Sequence, residues 1–344
     1  LSSTDGIDIS IANLTISNSV SLADATILNG YTSGEVTLDS VTDTFENVKS
    51  IYNLTPETDG ADGVDLRAAT INIVITDAVS LEQANELDGF TSGLVTLNSV
   101  VDSYNNLIAL DAIDSAQVTM ADAVVQVIDT VDLSKVEELR ADTTANITLN
   151  LVADNNANLA TINDFIDVSL SSADITVSND VSRAEADIID GYSRDSGTVN
   201  LTSLTDNISN ITAIQNNANI SLNTSNITVT DAATLTNANE FNALTTGLVT
   251  LQSVIDTYDN LTAIADIAST DVTMANAAVQ VIDEIDLTRV NELRADTNGN
   301  ITIDIVSDTK DNLATINTFV GEDHLASQAA TAAKATAEEA AAAA

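Results

Sequence analysis

The residues whose type and spacing could do chemistry in this chain are acids and amides. The pattern D-[TSN]-x-x-N-[LIV]-x-x-[IL] begins at Asp43, Asp102, Asp154, Asp206, Asp256 and Asp308, at spacings of 59, 52, 52, 50 and 52 residues. A second pattern, x-T-[IVM]-x-[DN] with one Val in place of Thr, alternates with it and ends on Asn18, Asp77, Asp122, Asn179, Asp231 and Asn276. Two chemistries suit an acid that returns at the end of a strand-like run. It can cap a helix N-terminus, accepting from N–H groups that have no intrahelical partner, a task each copy can do within its own unit. Alternatively, acids of neighbouring units can converge on Ca²⁺, which takes six to eight oxygens. The metal reading names Asp77, Asp102, Asp122, Asp154, Asp231, Asp256 and Asp308 as ligands. Calcium would then be a cofactor that raises stability by binding the folded array alone.

Other polar residues offer less. His324 is the one imidazole; it lies beside the Ala-rich stretch 326–344 and reads as an exposed linker residue. With no Cys and a single isolated His, the Ser-His-Asp and Cys-His nucleophilic arrangements have no support. Paired carboxylates could hydrolyse a glycosidic bond, but among 52 Asp and Glu residues no pair stands out from its repeat. No P-loop or G-x-G-x-x-G is present. Asn106, Asn158, Asn210, Asn260 and Asn312, four residues after each repeated Asp, are expected to ladder between units or bond the adjoining loop. Arg67, Arg140 and Arg294, each in an L-R-A triplet, are expected to hold local carboxylates, since a guanidinium can bind two at once. Sequons at Asn13, Asn146, Asn226 and Asn300 point only weakly to glycosylation, because the strand pattern N-[IL]-T generates them.

Charge and composition bound the class. Ten Lys and Arg against 52 acids give a net charge of −42 over 344 residues, which repels nucleic acids and anionic membranes. Hydrophobic residues reach 44% and aromatics only 3%, so the chain can build a large core, and that core is aliphatic. No apolar run approaches the roughly 18 residues of a membrane span. The absence of Cys rules out a disulfide framework and leaves the redox compartment open.

The elements that must position the acids follow from the repeat. Residues 73–166 and 227–320 match at a constant offset of 154, and twelve half-units of about 26 residues, paired into about 52, fill positions 14–320. Each begins with a β-branched run such as Ile227-Thr228-Val229-Thr230, continues through a capping residue and ends in apolar residues at helical spacing. Ser80-Leu81-Glu82-Gln83 and Ser182-Arg183-Ala184-Glu185 read as capping boxes. Such units cannot bury their faces alone, and strand–helix–strand connections favour parallel pairing. The expected fold is an α/β solenoid: a parallel β-ladder with helices on one side and a Thr-rich face on the other. Strands are expected at Val36–Leu38, Val95–Leu97, Ile147–Leu149, Val199–Leu201, Val249–Leu251 and Ile301–Ile303, with Leu107, Leu159, Leu261 and Leu313 in the core. The expected domains are 1–13 as the lead-in of an excerpted chain, 14–320 as the solenoid and 321–344 as a tail or linker. The segment 55–60, with the one proline, is expected to be a loop insertion.

The phrases Ile227-Thr228-Val229-Thr230-Asp231-Ala232-Ala233-Thr234-Leu235 and Asp308-Thr309-Lys310-Asp311-Asn312-Leu313 resemble tandem repeats of very large surface proteins of marine bacteria, particularly cyanobacteria. The resemblance implies a secreted structural, adhesive or motility-associated protein at the cell surface or outside the cell. Partners would then be copies of itself or other surface components. The glycine-rich nonapeptide of calcium-binding secreted repeats is missing, so the resemblance carries no calcium with it. The expectation is therefore a non-enzymatic extracellular repeat protein of a surface layer, filament or giant adhesin. A fibre or surface protein of a virus infecting such bacteria, and a carbohydrate-active solenoid enzyme, are the rival readings.

Overall fold

The structure is a computed structural model that describes residues 8–53, 63–66, 70–113 and 117–319. The chain forms two compact units, Leu1–Asn179 with Ala184–Asn200, and Asp180–Arg183 with Leu201–Ala344. Strand and helix alternate throughout. In order they are β1 (Leu14–Val20), α1 (Leu22–Asn29), β2 (Glu35–Asp43), α2 (Phe45–Asn53), β3 (Gly63–Asp65), β4 (Asn72–Val79), α3 (Leu81–Asp88), β5 (Val95–Asp102), α4 (Tyr104–Asp111) and β6 (Val118–Thr119). Then come β7 (Val124–Val131), α5 (Leu133–Asp142), β8 (Ile147–Asp154), α6 (Asn156–Asp164), β9 (Val168–Ser169), β10 (Asp174–Val181) and α7 (Arg183–Asp190). The remainder is β11 (Val199–Asp206), α8 (Ile208–Gln215), β12 (Ile220–Ser221), β13 (Asn226–Ala233), α9 (Leu235–Leu244), β14 (Val249–Asp256), α10 (Tyr258–Ala265), β15 (Val272–Thr273), β16 (Ala278–Ile285), α11 (Leu287–Asp296), β17 (Ile301–Val306) and α12 (Lys310–Asn317). Each long strand with its helix is one coil, numbered by the helix.

The two half-units differ in how they join the ladder. Within each unit the strand pairings are parallel, as the repeat requires. Odd-coil strands meet the next even-coil strand through a one-residue bulge: Ile73, Val74 and Ile75 pair with Val95, Thr96 and Leu97, and Ala78 then pairs with Ser99. The far side of each even strand is shared. The first two residues of β5 pair with the two-residue β6, and its second half pairs with the start of β7, Val100 with Val125 and Asp102 with Val127. The same arrangement recurs at β14, β15 and β16. Two-residue strands carry no readable alternation, so the sequence pattern does not announce them.

Burial follows the alternation. Val95, Leu97 and Val100 of β5 face inward at 1% exposure or less, while Thr96 and Asn98 face away from the helices. The helices cover the inward face with two residues each: Ala84 and Leu87 of α3, Leu107 and Leu110 of α4, Leu261 and Ile264 of α10. Leu107, Leu159 and Leu261 are fully buried, as expected, but Leu313 of α12 is 40% exposed. Its helical phase is the same; what differs is that no described coil follows α12 to cover it. The Ser80–Gln83 capping box is present, and Ser21–Asp24 and Thr234–Asn237 form two more. The Thr55–Gly60 insertion, Arg67, His324 and the Ala-rich tail lie outside the described residues. No helix among the described residues is long and apolar enough to cross a membrane.

Candidate functional site

Alternation places the repeated acids. In β5, Val100 faces the core and Asp102, two residues on, lies on the same face at the end where helices begin. Its carboxylate accepts from the Leu81 N–H at 3.0 Å, the first residue of the helix in the preceding coil. The other oxygen accepts from the Ser103 N–H and the Asn106 amide, both at 2.8 Å. This three-donor arrangement is repeated. Asp43, Asp154, Asp206, Asp256 and Asp308 accept from the N–H groups of Leu22, Leu133, Arg183, Leu235 and Leu287 at 2.8–3.0 Å. Each also takes the next N–H of its own chain and the Asn amide four residues on. The acids therefore cap, but not only within their own unit as the spacing suggested. The residue after each acid opens the local helix, as Asn155 and Asn207 do by accepting from the N–H groups of Asn158 and Asn210. The carboxylate itself joins one coil to the coil before it.

The odd strands supply the complementary contact. Asp77 sits at the β4 bulge and accepts from the Phe45 N–H at 2.8 Å, the start of the preceding even-coil helix. Asp231 does the same for Ile208, and Asn179 for Asn156. In the two remaining coils the acceptors are Asp129, for Tyr104, and Asp283, for Tyr258, each at 2.7 Å. Asp122 and Asn276, the motif-derived positions for those coils, are out of phase. Asp122 lies in the turn between β6 and β7, where it accepts from the Thr144 hydroxyl at 2.7 Å. The V-T pairs of β6 and β15 imitate the motif; the signal that finds Asp129 and Asp283 is the 52-residue step from Asp77 and Asp231.

A second set of polar residues escaped the sequence reading. Buried Thr32, Thr91, Thr143, Ser193, Thr245 and Thr297 follow the odd-coil helices, and each donates its hydroxyl to a carbonyl 20 residues earlier. In the third coil, Thr91 donates to the Ile71 carbonyl at 2.7 Å and accepts from the Gly93 N–H at 2.9 Å. A Cβ on Gly93 would run into that same carbonyl, so the recurring T-x-G is a coil-closing device. Sequon residues Asn13 and Asn226 are also occupied, accepting from the N–H groups of Glu35 and Leu248. Arg140 binds Asp167, as expected, at 2.9 Å and lies over the Phe165 ring; Arg294 instead lies over the Phe319 ring. The Tyr104 and Tyr258 hydroxyls donate to Glu138 and Glu292, which pushes both phenols up to about 12.

The electrostatics match this use of the acids. Burial pushes Asp43, Asp206 and Asp256 upward, but the three hydrogen bonds each accepts outweigh it and leave all three below the ordinary carboxylate value. Each helix start carries partial positive charge, which a carboxylate neutralises. Asp142, the last residue of α5, is the opposite case: burial, then Asp111 and Glu138, raise it to about 6. Among the described residues no three acids or imidazoles come together as a metal site would need. A shallow depression of about 500 Å³ is lined by Ser80, Leu81, Glu82, Asn85, Asp102 and Asn106, and a second of about 300 Å³ by residues including Thr250, Thr273 and Asn276. Compared with known protein families, curated proteins and solved structures, the chain has no match.

Proposed function

We propose that this chain is a non-enzymatic structural repeat segment of a surface layer, filament or giant adhesin, working outside the cell or at its surface alongside copies of itself or other surface components. The observation that carries the reading is the use of its repeated acids. Asp102, Asp154, Asp256 and their equivalents accept N–H donors from two successive coils, so the most regular polar signal in the sequence goes into building the array. The charge of −42 supports a role away from nucleic acids and anionic lipid, and suits a surface kept soluble in a salty medium. The resemblance to repeats of bacterial surface proteins points the same way. The test is fractionation of the source organism with an antibody against residues 14–320, alongside protease treatment of intact cells. The reading expects the antigen in the surface or shed fraction and its loss on protease treatment. An antigen confined to the cytoplasm and protected from protease refutes it.

A further inference from the structure

On the strand face turned away from the helices, most coils carry small or polar residues. The place of Ile128 in β7 is taken by Thr76, Ser178 and Thr230 in β4, β10 and β13. Leu151 of β8 is matched by Ser40, Ser99, Ser203 and Ser253 in β2, β5, β11 and β14. Val124 stands where Asn72, Asp174 and Asn226 do, and Val101 where Thr42, Ala153 and Thr205 do. The four exceptions fall together. Val101 pairs with Gln126, which lies between Val124 and Ile128 on β7, and Leu151 pairs with Thr130 across the bulge. Val124, Ile128 and Leu151 are 44%, 46% and 36% exposed, and Val101 is half-buried. Thr suits a strand as Ile does, so the ladder itself does not ask for apolar residues there. The block returns 154 residues on as Ile255, Ala278, Ile282 and Ile305. Single exposed aliphatics are ordinary, but a contiguous block rimmed by polar residues marks a contact surface.

Charge says what this surface can meet. In a chain of net charge −42, the outward positions of β5, β7 and β8 are uncharged apart from acids at the border of the block. Those acids are engaged: Asp122 by the Thr144 hydroxyl, Asp129 by the Tyr104 N–H and Asp174 by the Thr198 N–H. Gln126, in the middle, donates its amide to Asn150 at 3.1 Å, so it can be covered without losing that partner. A cationic partner would gain more from the acidic surfaces elsewhere. A sugar would be held by stacking on aromatic rings, and none stands on these three strands. Another strongly acidic chain, by contrast, can come close only through a neutral face. Resting on the structural reading above, we propose that the face of β5, β7 and β8 docks a second copy of this chain side by side, sheet on sheet and block on block. Each copy brings the same patch, so the contact is self-complementary and closes on a two-fold axis. The counterpart block has Asp304 where this one has Asn150, which leaves the first block as the contact that charge permits. Acids outside the face still repel, so screening by salt strengthens the contact.

The test is analytical ultracentrifugation of the 344-residue chain beside the double variant Ile128→Thr/Leu151→Ser. Both substitutions install residues that other coils carry at the same places, and circular dichroism checks that the fold is kept. Wild type is expected to move from 35.8 kDa toward twice that mass with rising concentration, more so on going from about 10 mM to about 0.5 M NaCl. The double variant should need at least roughly tenfold more protein to reach the same mass, because four aliphatic side chains leave each contact. Ile166→Ser, which removes a fully exposed side chain outside the strands, should associate as wild type does. The chain has no Cys, so Asn98→Cys on the docking face and Ser134→Cys on α5 each add a single thiol. A bis-maleimide of about 10 Å, the spacing of packed sheets, should join two copies of the first and not of the second. A wild type that stays monomeric in high salt, a double variant that associates like wild type, or cross-linking at residue 134 but not at 98 each overturns the proposal. So does a monomeric wild type that binds phosphatidylcholine vesicles and loses them in the double variant, which would make lipid the occupant. None of these outcomes changes where the fractionation test finds the antigen, so the two readings fail separately.

Discussion

Replacing Asp256 measures how much one coil-joining acid is worth. The residue is 9% exposed, and its carboxylate accepts from Leu235 N–H at 3.0 Å, Thr257 N–H at 2.9 Å and the Asn260 amide at 2.7 Å. Asp256→Ala removes one helix cap worth about 0.5–2 kcal/mol in the preceding coil. It also leaves two more donors, both in its own coil, without a charged acceptor, at roughly 1–3 kcal/mol for a donor that water cannot reach fully. Allowing for partial rehydration, a total loss of about 2–4 kcal/mol is expected. Thermal unfolding followed by circular dichroism should show it as a midpoint lowered by about 5–10 °C, at roughly 2–4 °C per kcal/mol for a unit of this size. Asp256→Asn should retain most of that loss, because an amide that turns its oxygen to Thr257 and Asn260 turns an N–H toward the Leu235 N–H. Asp231→Asn should cost less than about 0.5 kcal/mol, since Asp231 takes one N–H, from Ile208, and Asn179 fills the equivalent place naturally. The sign of the pH dependence follows from the lowered Asp256 value: its contribution is complete above the ordinary carboxylate range and disappears as pH falls through the folded-state value. The penalty of Asp256→Ala should therefore shrink in acid. If Asp256→Asn proves as harmless as Asp231→Asn at neutral pH, the three-donor account of the even-coil acids is wrong.

Further outcomes follow from the same geometry. Asp142→Asn should stabilise the chain by about 1–2 kcal/mol at pH 8 and have no effect near pH 4. The raised value near 6 means that the native carboxylate loses stability as pH rises from about 4 to 6, and half-burial tempers the two-unit shift; denaturant titrations at the two pH values check it. Leu107→Ala should cost about 2–5 kcal/mol, whereas Leu313→Ala in dilute monomer should cost less than about 1 kcal/mol, as compared by urea unfolding. Thr91→Val should cost about 1–3 kcal/mol by the same assay, since it leaves the Ile71 carbonyl and Gly93 N–H without their shared hydroxyl.

The repeat and its even strands were legible because one grammar recurs often enough to fix its own phase. Val36, Val95, Ile147, Val199 and Val249 all fall on buried strand positions, seven residues before the acid. The direction of capping was not legible. An Asp followed by Ser, Thr or Asn reads as the start of its own helix, and only the register between coils reveals that Asp102 reaches Leu81, 21 residues back. The odd-coil acids were half legible: the V-T pairs of β6 and β15 drew the motif onto Asp122 and Asn276, while the true acceptors Asp129 and Asp283 have Gln126 and Gln280 where the motif asks for Thr. The coil-closing Thr residues were hidden because T-x-G reads as an ordinary turn; its function depends on a carbonyl 20 residues away. Likewise, nothing local to Leu313 says that its coil has no described neighbour beyond it.

The central claim is that each repeated acid holds the helix of the coil before it. Amide hydrogen exchange measured residue by residue, on wild type and Asp256→Ala, tests it directly. The account predicts that Leu235 N–H, one coil back, loses protection along with Thr257 N–H, while Leu81, Leu133 and Leu287, held by Asp102, Asp154 and Asp308, keep theirs. Unchanged protection at Leu235 with loss confined to residues after Asp256 would mean that the acid serves only its own coil, and would contradict it.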